Sequence, residues 1–222
     1  MFRNRFFEDA VSIRPVCIVK EGNSKVTKYC AVVNVPALYT CPNDAPCKKD
    51  CYAAKGTYNY DNVNLGQWQN FKFFIEDADG FFSQIEAELA EADSLRPWKW
   101  FRWHETGDIV NAQYFEGMVD IAKKFPRINF MCFTKKYSIV NNWIDKNGKL
   151  PKNLTVIFSV WGYYGIGINP HNLPMSYVKG VSDDTDKLIP KSARQCPADN
   201  CAKCGFTCWS LKKRQSVKFD KH

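Results

Sequence analysis

Seven of the ten cysteines fall into two tight groups. Cys41, Cys47 and Cys51 are separated by five and three residues, and Cys196, Cys201, Cys204 and Cys208 by four, two and three. Thiolates are soft donors that accept zinc and iron–sulfur cores alike. Structural zinc takes four ligands, commonly as two close pairs, and the first group has three cysteines with no histidine nearby. It suits an iron–sulfur cluster in which one iron lacks a protein ligand. The second group has the short spacers of a ferredoxin-type run, with structural zinc as the alternative. Its cysteines either complete the first cluster or hold a second metal, as a second iron–sulfur cluster or as zinc. Cys17, Cys30 and Cys132 stand alone and are expected as small buried hydrophobes. Disulfides are disfavoured, because 222 residues suffice for a core and Met1–Arg14 has no apolar stretch of the secretory type.

An iron with an open position can act as a Lewis acid on a water or carbonyl oxygen. Such chemistry needs acid/base groups close by. His104, Glu105 and Asp108, in the run His-Glu-Thr-Gly-Asp, are the candidates: Asp108 or Glu105 as base, His104 as proton shuttle. Their structural alternatives are helix capping for the two carboxylates and a strand-end histidine. Lys135, Lys136, Ser159 and Trp161 are candidate substrate contacts for a small ester or amide.

These groups need a scaffold that brings them together. Residues 28–40 look extended and run into the first cysteine loop. Leu65, Trp68, Phe71 and Ile75 repeat at helical spacing over 62–76, and Phe81, Ile85 and Leu89 over 81–92. Trp98–Trp103 reads as a strand, 111–125 as a helix and Ile128–Phe133 as a strand. A short helix follows, with Ser138 as its cap, and Leu154–Val160 is a β-branched buried strand. Alternating strands and helices predict a parallel sheet with helices packed outside it. A full eightfold barrel takes about 250 residues, so the expectation is an α/β fold, a partial (β/α) barrel. Its ligand site lies at the C-terminal ends of the strands, where both the cysteine loop and His104–Asp108 fall. The organisation predicted is an extension over 1–27, the barrel over 28–190, and a cysteine-rich segment with a basic tail over 191–222.

The net charge is +8, densest at Lys212, Lys213, Arg214, Lys218 and Lys221. A solvated, fraying tail is the expectation, with nucleic acid a less favoured partner. No apolar run approaches the roughly 20 residues of a membrane span, so a cytoplasmic protein acting on a small-molecule substrate is expected. Nothing indicates the oligomeric state.

The stretch from Thr40 to Gly56, His104–Asp108, Phe-Thr-Lys-Lys at 133–136 and the cysteine-rich end together resemble the bacteriophage gene product 88 family, over about residues 30–210. That family looks distantly like radical-SAM enzymes, with a cysteine loop after the first strand of a curled barrel. The resemblance implies a [4Fe–4S] cluster and a phage-encoded protein in the host cytoplasm. Radical-SAM proteins use spacers of three and two residues, where this chain has five and three. An open-iron hydrolase is therefore the first expectation. A radical enzyme using S-adenosylmethionine is the second, and a non-catalytic electron-transfer or zinc-stapled protein the third.

Overall fold

The computed structural model describes residues 14–95, 98–197 and 199–221. It is a mixed α/β fold on one eight-stranded sheet, ordered β1-β2-β3-β4-β5-β6-β8-β7. The strands are β1 (Lys20–Glu21), β2 (Cys30–Val33), β3 (Trp100–Trp103), β4 (Asn129–Thr134), β5 (Leu154–Ser159), β6 (Met175–Lys179), β7 (Arg194–Gln195) and β8 (Ser216–Asp220). β1 pairs antiparallel with β2, and every other pairing is parallel. The sheet is open, with β1 and β7 at its edges.

Parallel neighbours require crossovers, and helices supply the first three. α1 (Asp61–Glu76) and α2 (Ala78–Leu95) join β2 to β3, α3 (Ala112–Lys124) joins β3 to β4, and α4 (Tyr137–Asn147) joins β4 to β5. A one-turn helix, α5 (Asp183–Asp186), follows β6. The helices lie near their predicted places because apolar residues recur at their period. Details differ. Trp68 and Phe71 are buried as expected, but Ile75 is 53% exposed, and Phe73 and Phe74 are buried in its stead. Ser138 lies within the first turn of α4 rather than capping it, and Lys136 holds the cap position without a side-chain bond. Asn111 caps α3, its Oδ1 accepting from the Tyr114 amide at 2.9 Å.

Alternation along the strands makes two cores. Ala31, Val33, Phe101, Trp103, Phe130 and Phe158 face the helices and pack with Phe81, Tyr114 and Met118. Cys30, Val32, Met131 and Ile157 face the other way and meet Phe206 and Trp209 from the C-terminal segment. That segment thus covers the face the helices leave bare. The basic end is no frayed tail: β8 lies between β6 and β7, and Lys221 pairs with Asp50 at 3.0 Å. Cys30 and Cys132 are buried as expected, but Cys17 is exposed, its thiol donating to the Val19 carbonyl at 2.8 Å. Among the described residues no helix is long and apolar enough to cross a membrane.

Candidate metal and substrate site

The first cysteine loop leaves the C-terminal end of β2 and crosses the C-terminal ends of its neighbours. Short 3-10 turns at Pro46–Asp50 and Tyr52–Ala54 shape it. Three distant contacts pin it. Tyr164 donates to Asp44 at 3.1 Å, Lys221 holds Asp50, and the Tyr52 hydroxyl donates to the Glu105 carbonyl. Cys41, Cys47 and Cys51 are unbridged and half-buried. Burial pushes the Cys41 thiol up to about 11, with the Asp108 charge and the two sister thiols adding to the effect. Cys51 is raised chiefly by burial, and Lys135 pulls it back. The three thiols therefore share one electrostatic neighbourhood. Among the described residues, no three His, Cys, Asp or Glu side chains are placed so that together they could hold a metal ion.

Beside the loop stand two predicted substrate contacts. Ser159 is the last residue of β5, and its Oγ accepts from Lys135 Nζ at 2.9 Å. Lys135 follows β4, and its amide donates to Asp108 Oδ2 at 2.8 Å. Tyr137, opening α4, donates to the Ser159 carbonyl at 2.5 Å, and Gly165 makes room for it: a Cβ there would lie 2.2 Å from the Tyr137 hydroxyl. Lys136 is half-buried, its amide donating to Thr134 Oγ1 at 2.9 Å. Trp161 lies farther along, with Lys221 Nζ 5.8 Å from its ring centre.

The run after β3 is held from below. Asn34 Oδ1 accepts from the amides of Glu105 at 2.7 Å and Thr106 at 3.1 Å. Thr40 Oγ1 accepts from the Asp108 amide at 3.0 Å. Gly107 has φ +82, and a Cβ there would meet the Val35 carbonyl at 2.5 Å, so only glycine fits this crossing. Asp108 is buried. Its carboxylate accepts from Thr134 Oγ1 at 2.6 Å, the Ile109 amide at 2.7 Å and the Lys135 amide. Burial raises its pKa, and these three bonds oppose the rise.

The other two acid/base candidates point elsewhere. Glu105 is buried and accepts from the Asn23 amide at 3.2 Å and from Asn34 Nδ2 at 3.4 Å. His104 has φ +64. That left-handed step breaks the strand alternation and turns the ring into the helix-side core, where its Nε2 lies 3.1 Å from the Tyr114 hydroxyl. Burial, with Arg102 adding, lowers its pKa to about 3, so the ring is neutral at ordinary pH.

The structure also brings in residues that sequence reasoning did not single out. Arg102 donates from Nε to the His104 carbonyl at 3.2 Å and lies 5.4 Å over the Phe133 ring. Tyr52, Glu105, Cys201 and Cys30 keep it protonated against burial. Its position in the aromatic–basic alternation of β3, opposite Phe101 and Trp103, was the available signal. Asn34 and Thr40 act across more than sixty residues and leave no local mark.

The second group lies elsewhere on the face opposite the helices. Burial pushes Cys208 up to about 12, with Cys201, Cys196 and Cys204 among its neighbours. Lys25 Nζ is 3.6 Å from Cys196 Sγ.

The family model described as Gene product 88 matches residues 17–208, and the chain belongs to that family. No curated protein and no solved structure matches it.

Proposed function

We propose that this member of the gene product 88 family is a metalloenzyme holding a [4Fe–4S] cluster on Cys41, Cys47 and Cys51. The observation that carries the reading is that one pinned loop bears three unbridged, half-buried thiols, over the C-terminal ends of parallel strands and beside Lys135, Ser159 and Asp108. The donor set fits such a group: thiolate sulfur is the usual iron–sulfur ligand, and Lys135 lies where it offsets thiolate charge. The sequential parallel order β2 to β6 supports the finer reading of a partial, radical-SAM-like barrel. The family description supports a phage-encoded protein, and with it the host cytoplasm.

When bound, a cluster with one iron free of protein ligands supplies a Lewis-acid position for polarising a carbonyl or acidifying a water. The chain's own residues do the rest. Lys135 and Ser159 form a donor pair that orients the carbonyl or anionic end of a small ester or amide. Asp108 takes up a proton at its carboxylate, and its three hydrogen bonds fix that carboxylate in place. Tyr137 and Tyr164 wall the side toward Asp44. Glu105 and His104 act through the backbone, holding the rim in register.

Replacing Cys47 by Ser should remove the share of iron and acid-labile sulfide that this cluster holds in anaerobically purified protein; unchanged iron content sinks the proposal. Replacing Lys135 by Met should leave iron in place and lower test-ester turnover at least tenfold, the scale of a lost positioning contact. Equal turnover would take Lys135 out of the site. The same strand order favours radical chemistry as a second reading. There, S-adenosylmethionine should change the spectrum of the reduced protein, whereas a hydrolase should be indifferent to it.

A further inference from the structure

Cys201, Cys204 and Cys208 lie on a segment anchored away from the first loop, and the Cys196 amide donates to the Lys218 carbonyl of β8 at 2.9 Å. The Cys201 amide donates to the Lys25 carbonyl at 2.8 Å, ahead of β2. Phe206 stacks on Trp100, the first residue of β3, with ring centres 4.7 Å apart. Trp209 Nε1 donates to the Phe101 carbonyl, and Thr155, second in β5, donates to the Trp209 carbonyl, both at 2.8 Å. These anchors lie toward the N-terminal ends of the strands, whereas Cys41–Cys51 crosses the C-terminal ends. β4 and β5 are six residues long, which puts roughly 17 Å between their ends at about 3.3 Å per residue. The electrostatic neighbours divide likewise. Cys41 and Cys51 feel thiols of their own loop, and Cys201 and Cys208 feel thiols of theirs.

We infer that Cys196, Cys201, Cys204 and Cys208 form a second metal centre, a separate iron–sulfur cluster closed by four thiolates. One segment supplies all four ligands, so no iron in it is left open. The spacers of two and three residues that join Cys201, Cys204 and Cys208 are those of a ferredoxin-type run. A cluster with four thiolate ligands carries net negative charge, and burying it calls for cations close by. Two are in place: Lys25 beside Cys196 and Arg102 beside Cys201. The centre also explains how the successive turns over residues 201–206 keep one shape over the sheet.

The test uses the whole chain, purified without oxygen, in two variants. One replaces Cys41, Cys47 and Cys51 together by Ala; the other is Cys204→Ala. Iron and acid-labile sulfide are measured, and iodoacetamide alkylation is mapped by mass spectrometry. The triple variant should keep about half the iron and sulfide of the parent, as expected for one of two four-iron clusters. Cys196, Cys201, Cys204 and Cys208 should resist alkylation in it. Cys204→Ala should lose the complementary half while Cys41, Cys47 and Cys51 stay protected. A triple variant free of iron, with its C-terminal cysteines alkylated as fast as in urea, overturns the inference. So does zinc without sulfide in that variant. Should Cys204→Ala not fold, the triple variant alone decides. Full retention of iron and sulfide there would support this centre and remove the first one, so the two proposals fail separately.

Discussion

At the residue scale, the run His104–Asp108 divides its labour. Asp108 faces the cysteine loop, while His104 belongs to the packing of Trp103 and Tyr114. That placement has a measurable consequence. The unfolded ring titrates near 6.5 and the folded ring near 3, so between these values only the unfolded chain binds the proton. Stability is therefore full above pH 6.5 and falls as pH drops below it, by up to about 1.4 kcal/mol per pH unit from this group. Urea unfolding at pH 7 and pH 5 should show that slope, and His104→Asn should flatten it, asparagine being tolerant of the left-handed backbone. An equally steep slope in the variant would place the titrating group elsewhere. Gly107 is the other sensitive position. Gly107→Ala combines a positive φ with a contact on the Val35 carbonyl and should cost about 2 kcal/mol or more. A midpoint within error of the parent would mean that the Val33–Thr40 and His104–Asp108 segments are free to separate. Neither role was visible beforehand: His-Glu-Thr-Gly-Asp displays its chemical groups, but which way each faces depends on Asn34 and Thr40 far back in the chain.

At the element scale, what was legible followed from period. α1, α2 and α3 declare themselves by residues three and four apart, and β4 and β5 by runs such as Asn-Phe-Met-Cys-Phe-Thr and Leu-Thr-Val-Ile-Phe-Ser. β8 was not legible, because Ser-Val-Lys-Phe-Asp alternates within a basic stretch and reads as solvated until β6 and β7 flank it. The 3-10 turn Thr207–Ser210 was hidden likewise, since its weight rests on Phe206 and Trp209 docking on a sheet face formed by distant strands. Trp209 is 3% exposed and bonds to Phe101. Trp209→Ala should destabilise the fold by about 3–5 kcal/mol, read from the denaturation midpoint. A loss under about 1 kcal/mol, the range of surface changes, would show that the C-terminal segment is only loosely seated.

At the scale of the whole molecule, one open sheet separates two jobs. Helices cover one face, and the cysteine-rich segment covers the other. The segment from 191 onward thus completes the same sheet as the rest of the chain. Ending the chain at residue 193 would remove β7, β8, Phe206 and Trp209, bare Met131 and Ile157, and leave β6 as an edge. Such a chain should aggregate or elute as a swollen species in size-exclusion chromatography; a compact, soluble monomer would contradict the packing described. The C-terminal ends of the strands, crossed by a loop with three free thiols, remain the place where chemistry is proposed. Mössbauer spectroscopy of iron-57-labelled, oxygen-protected protein examines that proposal most directly. A [4Fe–4S] signal containing one iron site distinct from the others, altered when a substrate analogue is added, is the predicted result. Colourless protein without acid-labile sulfide, or a spectrum in which every iron is equivalent and indifferent to added ligand, would contradict it.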